Sequence, residues 1–130
     1  MFSHVTIGSN DVARAGAFYD GVCKALGLER LADYPSAIAY GPPGGRPQLW
    51  ILHPADGRPA NVGNGITVAL EAPSRAAVDS AFGAGVEAGG KEEGAPGLRA
   101  HYHPNYYGAY LRDPDGHKIC IVCHGSTPST

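Results

Sequence analysis

No apolar run in this sequence approaches the length that crosses a bilayer, and no basic stretch leading into an apolar segment stands at its start. A membrane span and a secretory leader are therefore not expected, and the reading is a soluble protein of the cytoplasm. Basic clusters are missing as well. Lys and Arg total 10 against 12 Asp and Glu, a formal net charge of −2. Without a positive stripe, nucleic acid is not an expected partner. Cysteine is scarce. The three thiols, Cys23, Cys120 and Cys123, are an odd number set within periodic segments, which reads as reduced thiols and not as a disulfide framework. Charged residues make up only 17% against 43% hydrophobic, so the chain can bury a core and lacks a disordered composition. At 130 residues it suits one domain, or two small halves sharing a core.

Glycine and proline are plentiful, 19 and 11, and they punctuate short elements. Phe2 to Gly8 alternates as a strand, with Val5 and Ile7 on one face and His4 and Thr6 on the other. Ser9-Asn10-Asp11 offers capping oxygens. Val12, Ala15, Phe18, Tyr19, Val22, Cys23 and Leu26 then follow the spacing of an amphipathic helix that Gly27 ends. Glu29–Asp33, Ala37–Tyr40 and Gln48–His53 read as strands. Pro54 to Gly65 is a polar connection rich in Gly and Pro, and it reads as a linker.

After the linker the pattern begins again. Ile66, Val68 and Leu70 alternate with Thr67, Ala69 and Glu71, and Ser74 caps a helix carrying Ala77, Val78, Ala81 and Phe82. Lys91 to Leu98 reads as loop with a short strand at most. The sequence thus predicts β-α-β-β-β twice, as module one over about 1–58 and module two over about 62–124. Aligning the helix starts, Asp11 and Ser74, puts His4 on Thr67. Aligning the last turns puts Trp50 on Cys120. One such module would leave a sheet face bare, so two must pair.

The second module ends in a stretch from His101 to His124 that holds four of the histidines and four tyrosines. It reads as strand, turn and strand about Asp113-Pro114-Asp115-Gly116. The aliphatic faces, Val5/Ile7, Leu49/Ile51, Ile66/Val68/Leu70 and Ile119/Ile121, are expected under the helices. The opposite faces carry His4/Thr6, Gln48/Trp50, Thr67/Glu71 and Cys120/His124, and they would line a concavity fit for a small molecule. Cys120-x-x-Cys123 on a strand points its thiols to opposite faces, which argues against a redox pair. His101-x-His103 would place both rings on one strand face, as a metal-binding pair or as a polar lip. The tyrosines and Asn105 offer either ligand contacts beside Trp50 or cross-strand packing.

His4-Val5-Thr6-Ile7 followed by Asp11 and Phe18-Tyr19, then Leu26-Gly27, and Arg112-Asp-Pro-Asp-Gly-His-Lys-Ile119 resemble the vicinal oxygen chelate superfamily, which groups glyoxalases, bleomycin-resistance proteins and extradiol dioxygenases. The resemblance covers Phe2 to about His124. Ala72–Asp79 and Leu98–Ala109 further resemble a glyoxalase-like bacterial subgroup of unassigned chemistry. It implies an α+β fold, two paired βαβββ modules forming a cupped mixed sheet, and a homodimer. In metal-dependent members ligands come from the first and last strands of each module, positions held here by His4, Trp50, Thr67 and Cys120. The family pattern there is His or Gln, Glu, His and Glu, so only His4 keeps its ligand type.

The resemblance implies two functions. One is a lyase or isomerase whose divalent metal (Zn, Ni, Mn or Fe) is held by His4 and Cys120 and steadies an enediolate-like anion. The other is a metal-free protein that binds or sequesters a small molecule in an aromatic-lined groove. Acid–base catalysis by His4, His101 or His103 without metal is a third reading. The expected ligand contacts are Trp50, Thr67, His101, His103, Asn105, Tyr106, Tyr107 and His124.

Overall fold

The computed structural model describes residues 1–125. Strand β1 (Val5–Gly8) leads into helix α1 (Val12–Ala25), then β2 (Glu29–Tyr34), β3 (Ala37–Gly41) and β4 (Leu49–Leu52). The series repeats as β5 (Val68–Glu71), α2 (Arg75–Glu87), β6 (Lys91–Leu98), β7 (Tyr107–Arg112) and β8 (Lys118–Cys123). Each series closes its own mixed sheet of four strands, ordered β1-β4-β3-β2 and β5-β8-β7-β6. The fold is α+β, as expected. The two registers are also equivalent. β1 runs parallel to β4 with Thr6 beside Trp50, and β5 runs parallel to β8 with Ala69 beside Cys120. The internal duplication read from the turns therefore holds at the level of individual residue pairs.

The helices start where the capping residues stand. Asp11 accepts the Arg14 N–H at 3.1 Å and Ser74 accepts the Ala77 N–H at 3.0 Å, each filling an orphan donor of the first turn. Helix α1 covers one sheet and α2 the other, and the two helices pack against each other. One core results. Phe18, Tyr19 and Val22 of α1 meet Val78 and Ala81 of α2, above Ile38, Leu49, Ile51, Leu111, Ile119 and Ile121 of the sheets. Close approach needs small residues at the crossing. A Cβ on Gly85 would stand 2.7 Å from Leu111 Cδ1 and 3.1 Å from both Phe18 and Val22.

Three expectations are corrected. β1 begins at Val5, not Phe2; Phe2 is 77% exposed and has no strand partner to dock on. Ile66 was expected on the buried face of β5, but the strand starts at Val68 and Ile66 is 61% exposed. Lys91–Leu98 is a full strand of eight residues despite its two glycines and proline, because irregular pairing with β7 absorbs them.

Besides the packing of α1 on α2, polar contacts tie the halves at the turn between β7 and β8. Tyr19 donates its hydroxyl to Asp113 Oδ2 at 2.6 Å, both groups being buried. Asp113 Oδ1 accepts the N–H groups of Asp115 and His117, each at 2.9 Å. The Asn10 N–H reaches Asp115 Oδ1 at 2.8 Å, Arg14 reaches the Pro114 carbonyl at 3.2 Å, and His117 Nε2 meets the Gly8 carbonyl at 2.7 Å.

Two outcomes are expected. Tyr19→Phe leaves Asp113 Oδ2 buried without its donor and should cost about 1–3 kcal/mol in urea unfolding. Stability should also fall in alkali. Burial, then the Asp113 charge, raises the Tyr19 phenol; burial, then the Asp20 hydrogen bond, raises Tyr40; burial, then the Asp20 charge, raises the Cys23 thiol to about 12. In each case the folded state holds its proton more tightly than the unfolded chain. The contribution is thus whole below about pH 9 and is lost as pH climbs, for Cys23 between the ordinary thiol value and about 12. Cys23→Ala should flatten the first part of that fall in a melting-temperature series across alkaline pH.

Candidate functional site

Side chains alternate along a strand, so the face of the second sheet turned away from the helices is fixed by β8 and β7. It carries Lys118, Cys120 and Val122 of β8, with Tyr110 paired to Cys120 and Gly108 paired to Val122. Tyr106 stands just before β7 and folds its ring back along this face. A Cβ on Gly108 would lie 2.9 Å from the Tyr106 ring, so only glycine leaves room for that ring. The Tyr106 hydroxyl then sits 3.3 Å from Cys120 Sγ and 2.9 Å from the Tyr110 hydroxyl. Burial, followed by the hydrogen bond to Cys120, raises the Tyr106 phenol. Burial, followed by the hydrogen bond to Tyr106, raises that of Tyr110. Both phenols therefore stay protonated donors at neutral pH.

An imidazole pair adjoins them. His103 Nδ1 accepts the Asn105 N–H at 3.1 Å, so the neutral His103 ring carries its proton on Nε2. That nitrogen lies 2.8 Å from His124 Nδ1 and donates to it, which leaves His124 its own proton on Nε2. The edge of Tyr106 rests against both rings.

Cations flank the phenols. Lys118 Nζ lies 5.3 Å from the centroid of the Tyr110 ring and the Arg99 guanidinium 5.5 Å from it. Arg99 is held by the carbonyls of Ala95, Gly97 and Gly108. Arg112 pairs with Glu93 at 2.9 Å and holds that carboxyl below its ordinary value, chiefly by the hydrogen bond. Beside this face a cavity of about 420 Å³ lies between β1 and β5, and another of about 510 Å³ lies between the 62–67 segment and the β7–β8 ends; they share Val62, Gly63, Ile66 and Lys118.

The residues picked from sequence divide into several groups. His103, Asn105, Tyr106, His124 and Cys120 are brought together. Trp50 is half-buried beside Thr6 on the first sheet. His4 and Thr67 are exposed and each stands one residue before its strand; His4 bonds only its neighbour Ser3, at 2.9 Å. Register thus sets Thr6, not His4, beside Trp50, and Ala69, not Thr67, beside Cys120. His124 follows β8, whose sheet is not the one that holds β1, so no adjacent strand brings it to His4.

Two expectations change. His101 and His103 lie in the loop before β7, not in a strand, so their rings part: His101 lies 4.2 Å from the Tyr102 ring, tilted 43° to it, and does not join the imidazole pair. Tyr107, expected among the ligand contacts, follows Tyr106 into β7 and so points to the helix side. There it donates to Asp79 of α2 at 2.7 Å beneath Arg75.

Sequence reading missed Lys118, Arg99 and His117. Lys118 was legible in principle, since it shares parity with Cys120. Arg99 acts through backbone carbonyls of its own hairpin and His117 through the Gly8 carbonyl, and backbone acceptors leave no mark in residue spacing.

A model of the Glyoxalase/Bleomycin resistance protein/Dioxygenase superfamily matches residues 1–121. No curated protein matches the sequence. Among solved structures, a glyoxalase/bleomycin resistance protein from Albidiferax ferrireducens T118 is 39% identical, with a TM-score of 0.84 over 96% of this chain and 99% of that one. A glyoxalase-related enzyme from Fulvimarina pelagi shares the fold at 20% identity and a TM-score of 0.72, over 99% of this chain and 95% of that one. So does a lactoylglutathione lyase from Agrobacterium tumefaciens, at 22% identity and 0.62, over 95% and 92%.

The cap over Cys120 is directly testable. Cys23, Cys120 and Cys123 are all buried, so the native protein should react slowly with a thiol reagent. Tyr106→Ala should add one fast-reacting thiol, and Tyr106→Ala/Cys120→Ser should remove it again.

Proposed function

This chain belongs to the glyoxalase/bleomycin resistance protein/dioxygenase superfamily, and on that premise we propose that it binds a small organic molecule without a metal. The observation that carries the reading is the hydroxyl of Tyr106 set 3.3 Å from Cys120 Sγ. The last inherited ligand position is thereby closed by a phenol. The other three do not repair the loss. Trp50 has no lone pair to give, Thr67 offers an exposed hydroxyl, and His4 is exposed at the foot of its strand. Among the described residues no three His, Cys, Asp or Glu side chains gather where they could hold one ion. Hard divalent cations want several oxygens or imidazoles at once, so this donor set does not fit the family's metal.

What the face offers a ligand is hydrogen bonding, flat surface and charge. Tyr106 and Tyr110 supply phenols, His124 an outward imidazole N–H, and Lys118 an ammonium. These groups suit an oxygen-bearing molecule with an apolar body. The tautomers of the imidazole pair are set by the Asn105 N–H and leave both Nδ1 lone pairs engaged, so the pair presents an N–H donor to a ligand.

The test is metal content by plasma mass spectrometry. Tag-free protein would be offered Zn²⁺, Ni²⁺, Mn²⁺ and Fe²⁺ and then desalted, alongside His4→Ala. Metal well below one equivalent, the same in both proteins, is expected. One equivalent that His4→Ala abolishes would overturn the reading and restore a metal-dependent lyase.

A further inference from the structure

We propose that the groove between the two sheets is a binding site for a small organic carboxylate, anchored by Lys118 with its apolar body along the free edge of β1. This deepens the small-molecule reading and rests on it. The two cavities described above are one groove, because they share Val62, Gly63, Ile66 and Lys118. Its two ends differ in chemistry. Val5, Ile7 and Val68 line one end only. Thr67, Asn64 and Arg112 line the other only, and Val62, Ile66 and Lys118 border both. No carboxylate side chain lines either end.

Lys118 is the free charge. Among the described residues it has no ion-pair partner within 4.0 Å. The nearby Glu93 is taken by Arg112, which also donates to the Gly116 carbonyl at 3.1 Å. The ammonium is held over the Tyr110 ring, so it is positioned before any ligand arrives. A half-buried ammonium with no ion-pair partner of its own favours an anion from solution.

The apolar end also lacks a cover. Ile66 is 61% and Val62 41% exposed. β1 is an edge strand, and its Val5 and Ser9 N–H groups turn to β4. The peptide groups of Thr6 and Gly8 therefore face the groove. His117 occupies the Gly8 carbonyl, and those of Thr6 remain open to a ligand. A carboxylate with an aromatic or aliphatic body matches this sequence of surfaces; a neutral alcohol or a polyanion does not.

The experiment titrates phenylacetate and octanoate, with their amides as neutral controls, and reads the fluorescence of Trp50. It is the chain's one tryptophan and stands beside Thr6. The acids are expected to bind at least about tenfold more tightly than the amides, the size of a charged hydrogen bond. Lys118→Met should erase that preference while Lys118→Arg keeps it, and Ile66→Ser should weaken acid and amide together. The acid–amide comparison and its loss in high salt need no variant, so they decide the matter even if Lys118→Met does not fold. Equal binding of acid and amide, or a preference untouched in Lys118→Met, would overturn the carboxylate assignment and leave the small-molecule reading standing. Failure of every probe, charged or neutral, would overturn both. If no probe binds and Ile66→Glu turns a dimer into a monomer by light scattering, a second copy of the chain occupies the groove and the proposal is wrong.

Discussion

A carboxylate taken out of water must have its lone pairs filled, and Asp113 is such a group. It sits in the turn between β7 and β8 at 4% exposure. Its Oδ1 is filled by two N–H groups of its own turn, and its Oδ2 by Tyr19 from the other half of the chain. Satisfying one buried charge thus folds the turn and docks α1 at the same time. Asn10, Arg14 and the Gly8 carbonyl attach to the same five residues, so the polar contacts between the halves gather at one joint beside the packed helices. The groove beside that joint inherits its shape from it, since His117 and Lys118 leave the turn in opposite directions, one to β1 and one to the open face.

The duplication explains why the two halves share geometry while their chemistry has diverged. The backbone pairs are equivalent, Thr6–Trp50 and Ala69–Cys120, yet the first is an exposed hydroxyl with an indole and the second a methyl with a capped thiol. A scaffold that sets the edge strands β1 and β5 on either side of a cavity keeps a ligand-sized space whatever side chains occupy it. Here the second half carries phenols, imidazoles and cations, and both halves contribute to the apolar wall, Val5 and Ile7 from the first and Val62, Ile66 and Val68 from the second. That division is what an amphipathic ligand requires.

Much of the fold was legible from the residues alone. Helix spacing, the caps Asp11 and Ser74, and the Asp-Pro-Asp-Gly turn are local signals, and each is enforced by contacts within a few residues. The strand faces followed from alternation, which also separated Cys120 from Cys123. Errors fell where local pattern competes with tertiary pairing. β6 forms in spite of glycine and proline because β7 offers it a partner. Ile66 has the right parity for β5 but falls before the parallel pairing with β8 begins. His101 and His103 have strand spacing inside a loop.

The sequence by itself determined two equivalent modules, the faces of their strands and a second half rich in phenols and imidazoles, because periodicity and turn chemistry are properties of neighbours along the chain. Which histidines meet, that Tyr106 closes over Cys120, and that Lys118 stands outside any ion pair beside an apolar slot were decided only by tertiary structure. Each depends on residues far apart in the chain or on a ring folded back across a glycine. Such distances are set by how the sheets and helices pack, and no spacing in the sequence encodes them.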